Sequence, residues 1–124
     1  MADVGLDDIR SADVLVRAVA RRTPLLPAHW LDPLVGGQVL LKAENLQRAG
    51  SFKVRGAYVR MARLSAAQRE LGVVAASAGN HAQGVALAAA ELNIAATVFM
   101  PRTASLPKVT AATGARSKMA LSPE

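Results

Sequence analysis

Apolar and polar positions along the first part of the chain follow a helical pattern. Residues 6–20 mix apolar positions such as Ile9 and Val16 with polar ones and carry aspartates at the front, which predicts an amphipathic helix ending near Arg21. Three prolines and a glycine pair follow. Residues 23–37 are therefore expected to be irregular or extended, with a single helical turn near residues 28–34.

The middle of the chain changes from a strand pattern to a helical one. Residues 38–45, QVLLKAEN, are short, rich in Val and Leu, and flanked by turn residues, which favours a strand. Residues 52–65 then place apolar side chains at spacings of three and four, which predicts a helix with Ser51 at its N-cap.

The second half of the chain shows a repeated order of elements. Apolar runs at 72–77 and 94–101 read as buried strands, and the alanine-rich stretch between them reads as a helix. A further helix is predicted over 105–114, with Ser105 as its cap. This βαβα unit places the chain in the α/β class with a parallel sheet. Both strands look apolar on both faces, so they are expected to need cover above and below.

Composition and charge narrow the possible functions. The 124 residues are 52% hydrophobic and include no cysteine, which suits a small cytoplasmic domain without disulfides. The first ten residues are too acidic for a signal peptide, and polar residues interrupt every apolar stretch, so no membrane span is expected. The net charge of +6 comes from scattered arginines with only 3% aromatic residues, which argues against nucleic-acid binding.

The stretch SAGNHAQG, residues 77–84, lies where a predicted strand meets a helix. Its small residues let the backbone approach a ligand, and N–H groups at the helix start would point at an anion. The stretch is either a carboxylate-binding turn or an ordinary connection. Its glycine spacing resembles a phosphate-binding P-loop, but Val85 and Ala86 stand where that loop requires Lys and Ser or Thr. Nucleotide binding is therefore not predicted.

The two histidines give no sign of a metal site. His81 and His29 lie far apart in the sequence, no thiol is present, and no metal-binding histidine spacing occurs. We predict no metal. His81 is open to two interpretations, a local hydrogen-bonding role and a role as a base.

A single lysine lies in the stretch GSFKVRGA, at the start of the second predicted helix. The positive end of the helix dipole and the neighbouring Arg55 disfavour the charged form of the Lys53 amine. Burial beside Phe52 and Val54 would act in the same direction. Such an amine suits imine formation with a carbonyl compound. The alternative is a lysine that extends to solvent with Phe52 packed beneath it.

Two motifs carry a family resemblance. KAENLQRAGSFKVRGA at 42–57 and ASAGNHAQGVA at 76–86 resemble the motifs of the fold-type II pyridoxal-phosphate enzymes. The resemblance is greatest to the threonine dehydratases (threonine ammonia-lyases), with serine dehydratases and serine racemases as relatives. It covers residues 6–115 and implies a partial, truncated form of that two-domain α/β fold.

The resemblance assigns roles to particular residues. In the family, the lysine of the SFKxRGA motif holds pyridoxal 5'-phosphate as a Schiff base, which implies that Lys53 is the catalytic residue here. Phe52 would line the cofactor site, and Asn80 would contact the ring hydroxyl of the cofactor. The substrate carboxylate would be held by the second motif, through Ser77, Ala78, Gly79, Asn80 and His81.

The implied reaction is β-elimination from a small amino acid. Threonine would yield 2-oxobutanoate and ammonia, a step that often opens isoleucine synthesis, and serine would yield pyruvate. Lys53, freed as an amine, would move the α-proton. Relatives are commonly homo-oligomers.

The resemblance also predicts the domain organisation. Residues 1–68 would be the N-terminal part of the large cofactor-binding domain, residues 72–115 part of the small domain, and residues 116–124 a tail that departs from the family pattern. The family's glycine-rich phosphate loop lies further downstream. The 124-residue chain is therefore expected to be inactive alone and not to assemble normally, or to be a non-catalytic remnant.

Overall fold

The computed structural model describes residues 3–101 and 117–121, and its first part combines helices with a small hairpin. The hairpin is antiparallel, with Leu25 opposite Lys42 and Pro27 opposite Leu40. Both of its strands are exposed. The elements in chain order are helix α1 (Leu6–Val16), strand β1 (Leu25–Pro27), helix α2 (Asp32–Val35), strand β2 (Leu40–Lys42) and a 3-10 turn (Glu44–Leu46).

The second part is built on a parallel sheet. Strands β3, β4 and β5 lie side by side in that order, and both neighbouring pairs are parallel. This confirms the predicted α/β class and parallel sheet. The elements are helix α3 (Lys53–Ala62), helix α4 (Ala66–Leu71), strand β3 (Val73–Ala76), helix α5 (Asn80–Leu92), strand β4 (Ala96–Met100) and strand β5 (Ser117–Leu121).

Strand β5 lies within residues 116–124, where the sequence analysis placed no strand. Its register with β4 pairs Ala96 with Ser117 and Met100 with Leu121. The strand exists because an existing neighbour offers a row of backbone groups to pair with, so a long apolar run is not required. The helix predicted over 105–114 lies outside the described residues.

The core lies between one face of the sheet and helices α3 and α5. Alanines of α5, among them Ala82, Ala88 and Ala89, are fully buried, and their small side chains let α5 pack closely on its neighbours. The other face is not covered as the sequence predicted. Val74 is 73% and Phe99 41% exposed, so the face of β3 and β4 that carries them stays open, and the opposite face is buried in β4 but only half-buried in β3. The apolar composition of the strands therefore overstated their burial.

Helix α1 ends at Val16, five positions before the predicted end near Arg21. Turn hydrogen bonds continue as far as Ala20, and the next residue, Arg21, pairs its backbone with the side chain of Gln47. The Gln47 Oε1 accepts from the Arg21 N–H at 2.8 Å, and its Nε2 donates to the Arg21 carbonyl at 2.9 Å. Both backbone groups of Arg21 are thus bonded to a partner 26 positions away instead of within the helix.

Helix α4 was not predicted, although its signal is present in the sequence. Ser65 accepts a hydrogen bond from the Gln68 N–H at 3.2 Å, and the Gln68 side chain accepts from the Ser65 N–H at 2.9 Å. This reciprocal pair is a capping box.

Within the described residues, no helix is both long and apolar enough to cross a membrane.

Candidate active site

Lys53 is the first residue of α3 and is half-buried. Its Nζ lies 4.8 Å from the centroid of the Phe52 ring, and that ring is 57% exposed. Val54 is fully buried beneath the helix. The amine is therefore flanked by an aromatic ring that remains largely in contact with solvent, and the expected burial beside Phe52 is only partly seen.

The predicted N-cap at Ser51 is displaced by one residue. Phe52 occupies the cap position, and no side chain caps α3 there. The Ser51 hydroxyl still accepts from the Lys53 N–H at a long distance of 3.5 Å, and Ser51 is buried. Because caps are defined by backbone geometry as well as residue type, the serine alone was an imprecise guide to the helix start.

The segment 77–84 turns from the carboxyl end of β3 into α5. The Ser77 N–H donates to the carbonyl of Phe99 at 3.0 Å, and the Ser77 hydroxyl accepts from the Gly79 N–H at 3.2 Å. No side chain caps α5 at Gly79, so the first N–H groups of the helix face outward. Ligands of open parallel sheets bind at this end of the strands. The turn has the form of an anion site.

Exposure differs along this turn. Asn80 and His81 are exposed, whereas Ser77, Ala78 and Gly79 are half-buried. A ligand seated on the turn would thus contact half-buried backbone on one side and two open polar side chains on the other. The resemblance implies that these five residues hold the substrate carboxylate, and their individual roles stay predictions.

Gly84 brings the lysine and the turn together. It lies in the second turn of α5, buried against the start of α3. A Cβ atom placed on Gly84 would lie 2.9 Å from the carbonyl carbon of Lys53, 3.0 Å from its Cβ and 3.0 Å from the Val54 nitrogen. Only glycine permits this approach. The two motifs, far apart in sequence, therefore meet in the fold.

Arg55 does not act as a free cation beside Lys53. Its Nε and Nη2 donate to the two oxygens of Glu44 at 2.8 and 2.7 Å. The hydrogen bonds from Arg55, together with a weaker effect of the Thr23 hydroxyl, lower the pKa of Glu44 to about 2, although burial opposes this shift. The same carboxylate raises the pKa of Arg55. The neighbouring positive charge on which the sequence argument relied is therefore paired.

The stability of the chain should depend on the ionisation of Glu44. The pKa of Glu44 is lowered from 4.5 to about 2 in the folded chain, so its contribution is complete above pH 4.5 and disappears as the pH falls toward 2. We expect Glu44→Gln to remove up to about 3 kcal/mol at pH 7 and much less at pH 2.5. Urea unfolding at both pH values measures this. An equal loss at both would contradict it.

Sequence reasoning missed Glu44 and Gly84. Both lie inside the quoted motifs, but neither carries the chemistry for which a motif is usually searched. A glutamate eleven residues before an arginine gives no local pairing signal, and the role of a helical glycine depends on the partner helix.

Within residues 3–101 and 117–121 no group of metal-binding side chains occurs.

Comparison with protein families identifies the chain. Residues 16–119 match a family model described as pyridoxal-phosphate dependent enzyme. The chain belongs to this family. The match includes Lys53, the turn at 77–84 and most of β5. Members of the family depend on pyridoxal phosphate, which agrees with the cofactor implied by the two motifs.

Individual relatives agree with the family assignment. The chain is 53% identical over 107 residues to an L-threonine ammonia-lyase of Thermotoga maritima, covering 86% of this chain and 27% of that protein. It is 51% identical over 105 residues to an L-threo-3-hydroxyaspartate ammonia-lyase of a Pseudomonas species, covering 85% and 33%. The maize serine racemase structure superposes with a TM-score of 0.88 at 35% identity, covering 99% of this chain and 37% of that one. The chain thus spans about a third or less of these curated relatives.

The residues present fit part of a pyridoxal-phosphate site. A half-buried amine stands at the start of α3, and its backbone lies against a glycine that follows an uncapped anion turn. Lys53 could hold an aldehyde as an imine, and the uncapped turn could hold a carboxylate.

Proposed function

We propose that this chain supplies the covalent lysine and the carboxylate-binding turn of an enzyme that eliminates water from L-threonine, after which hydrolysis of the released enamine gives 2-oxobutanoate and ammonia. The observation that carries the proposal is the contact of Lys53 with Gly84, which joins the two motifs. The identities of 53% and 51% to two ammonia-lyases support this reaction class. The division into residues 1–68 and 72–115 belongs to the same proposal.

Each residue has a defined task in this proposal. Pyridoxal phosphate, when bound, supplies the electron sink for loss of the α-proton. Lys53 holds the cofactor, and its amine, once displaced, takes the α-proton of the substrate. Backbone N–H groups of the 77–81 turn hold the substrate carboxylate. Phe52 lies against the cofactor, and Asn80 donates a hydrogen bond to its ring hydroxyl.

Substrate preference is the open choice within this site. Threonine is favoured because the relative of highest identity given above is an L-threonine ammonia-lyase. The maize serine racemase superposes on nearly the whole chain, so racemisation of serine is the second candidate. The two reactions share α-proton removal and differ in whether hydroxide then leaves the β-carbon.

A chimera tests the proposed reaction. This chain would replace the aligned 107 residues of the Thermotoga maritima L-threonine ammonia-lyase, which supplies the remaining length. We expect the purified chimera to release a 2-oxo acid from L-threonine faster than from L-serine or L-threo-3-hydroxyaspartate. The 2-oxo acid is measured by coupled reduction, and D-serine is measured by chiral chromatography.

The parent enzyme and the Lys53→Ala chimera are the controls. A folded chimera that forms D-serine without 2-oxo acid would replace elimination by racemisation. A folded chimera that binds pyridoxal phosphate but produces neither compound would overturn the proposed function.

A further inference from the structure

Glu44 and Arg55 form a two-pronged ion pair between the loop before α3 and the first turn of α3. The contacts of 2.7 and 2.8 Å involve both carboxylate oxygens and two nitrogens of the guanidinium. The Glu44 side chain is 16% and the Arg55 side chain 30% exposed. Two parallel hydrogen bonds fix both the distance and the relative orientation of the guanidinium and the carboxylate, whereas a single hydrogen bond does not fix the orientation.

The pair is tied to a third segment of the chain. The buried Thr23 donates its hydroxyl to Glu44 Oε1 at 2.5 Å, and the Lys42 amine donates to the Thr23 carbonyl at 2.6 Å. Arg55 also reaches the Arg21 carbonyl at 3.4 Å. The segment around residues 21–23 and the start of α3 are therefore joined at one carboxylate, and Lys42 of β2 is bonded to the same segment.

Helix geometry relates this cluster to the lysine. Arg55 follows Lys53 by two positions, which is about 200° of rotation around the helix axis, so the two side chains leave α3 on nearly opposite sides. Gly84 contacts Lys53 on the lysine side. The first turn of α3 is thus held between the Glu44 ion pair on one side and the close glycine contact on the other.

We propose that Glu44 is a positioning residue for Lys53. Its hydrogen bonds to Arg55 and Thr23 fix the rotation of α3 about its axis and the position of its first residue. They thereby orient the Lys53 amine toward the cofactor aldehyde. The lowered pKa of Glu44 keeps its carboxylate ionised well below neutral pH. This inference rests on the covalent role of Lys53 in the proposed function.

Competition among lysines of the same chain tests the proposal. The chimera that carries this chain unchanged, here the wild type, is mixed with limiting pyridoxal phosphate and reduced with borohydride, and the label on Lys42, Lys53, Lys108 and Lys118 is measured by peptide mass spectrometry. We expect Lys53 to take the largest share in the wild type. In Glu44→Gln the ratio of label on Lys53 to label on Lys118 should fall at least about fivefold.

Glu91→Gln is the matched control. It removes the ion pair that joins Arg48 to Glu91 near the end of α5, with side chains 32% and 35% exposed. Its ratio of label on Lys53 to Lys118 should stay at the wild-type value. Glu44→Asp keeps the charge and should restore part of the ratio, which a loss of general stability would not explain.

A second variant covers the case in which Glu44→Gln does not fold, as judged by circular dichroism. Thr23→Val keeps the shape of the side chain but removes one donor to Glu44, and we expect a smaller fall in the same ratio. A wild-type preference for Lys53 that survives in every folded variant overturns the positioning role alone. A wild type without that preference overturns the covalent role of Lys53, and the positioning role fails with it.

Discussion

Lys53→Ala is expected to lower the rate of 2-oxo acid formation from L-threonine by the chimera at least about a thousandfold. The variant removes both the group that bonds the cofactor aldehyde and the amine that takes the α-proton. The same change should abolish the borohydride-stable label at position 53. Initial rates at saturating threonine and peptide mass spectrometry measure the two effects.

Two further substitutions separate covalent chemistry from charge. Lys53→Arg keeps a cation over the Phe52 ring, but a guanidinium does not form an imine with the aldehyde, so it should be as inactive as the alanine variant. Lys42→Arg keeps a donor for the Thr23 carbonyl and should retain activity within a few fold. Substantial activity in Lys53→Arg would show that the positive charge, and not the covalent bond, is what the site requires.

The fold was largely predictable where the signal is local. Strand β3, helix α5 and strand β4 lie within a few residues of their predicted limits, because an apolar run followed by an alanine-rich stretch specifies them without knowledge of a partner. Strand β5 was missed because it depends on pairing with β4. Helix α1 was predicted too long, and the backbone of Arg21 is bonded instead to Gln47, which is remote in sequence.

The candidate site was likewise predictable only where the residues themselves carry a local signal. Lys53 and the 77–84 turn were found from the sequence because their residue types carry chemistry, although their roles remain predictions. The pairing of Arg55 with Glu44 was not foreseen, since nothing local indicates that the cation is neutralised. The sequence argument gave Arg55 an electrostatic role beside Lys53, whereas in the structure Arg55 is paired with Glu44.

Gly84→Ala is expected to lower the free energy of unfolding by about 2 kcal/mol, even though alanine favours the helix by about 1 kcal/mol relative to glycine. The new Cβ would lie 2.9–3.0 Å from three atoms at the start of α3, the Lys53 carbonyl carbon, the Lys53 Cβ and the Val54 nitrogen. None of these is the far end of a flexible side chain, so α5 and α3 must separate to relieve the overlap. Urea unfolding at pH 7 measures the loss.

Gly56→Ala is the matched control for this change. Gly56 also lies inside a helix, α3, but a Cβ placed on it meets nothing within 4 Å. The substitution should therefore show only the helix preference of alanine and stabilise the chain by about 0.5–1 kcal/mol. Equal effects of the two substitutions would contradict the close contact between Gly84 and Lys53.

The label on Lys53 then separates packing from positioning at Gly84. If the contact sets the lysine against the 77–81 turn, the ratio of label on Lys53 to label on Lys118 should fall in folded Gly84→Ala by more than in Gly56→Ala. Because Gly84 and Glu44 act on opposite sides of the same helical turn, their effects on this ratio should couple in the double variant. A stability loss with an unchanged ratio would mean that the glycine serves only the packing of α5 on α3, and the lysine would then owe its orientation to the ion pair alone.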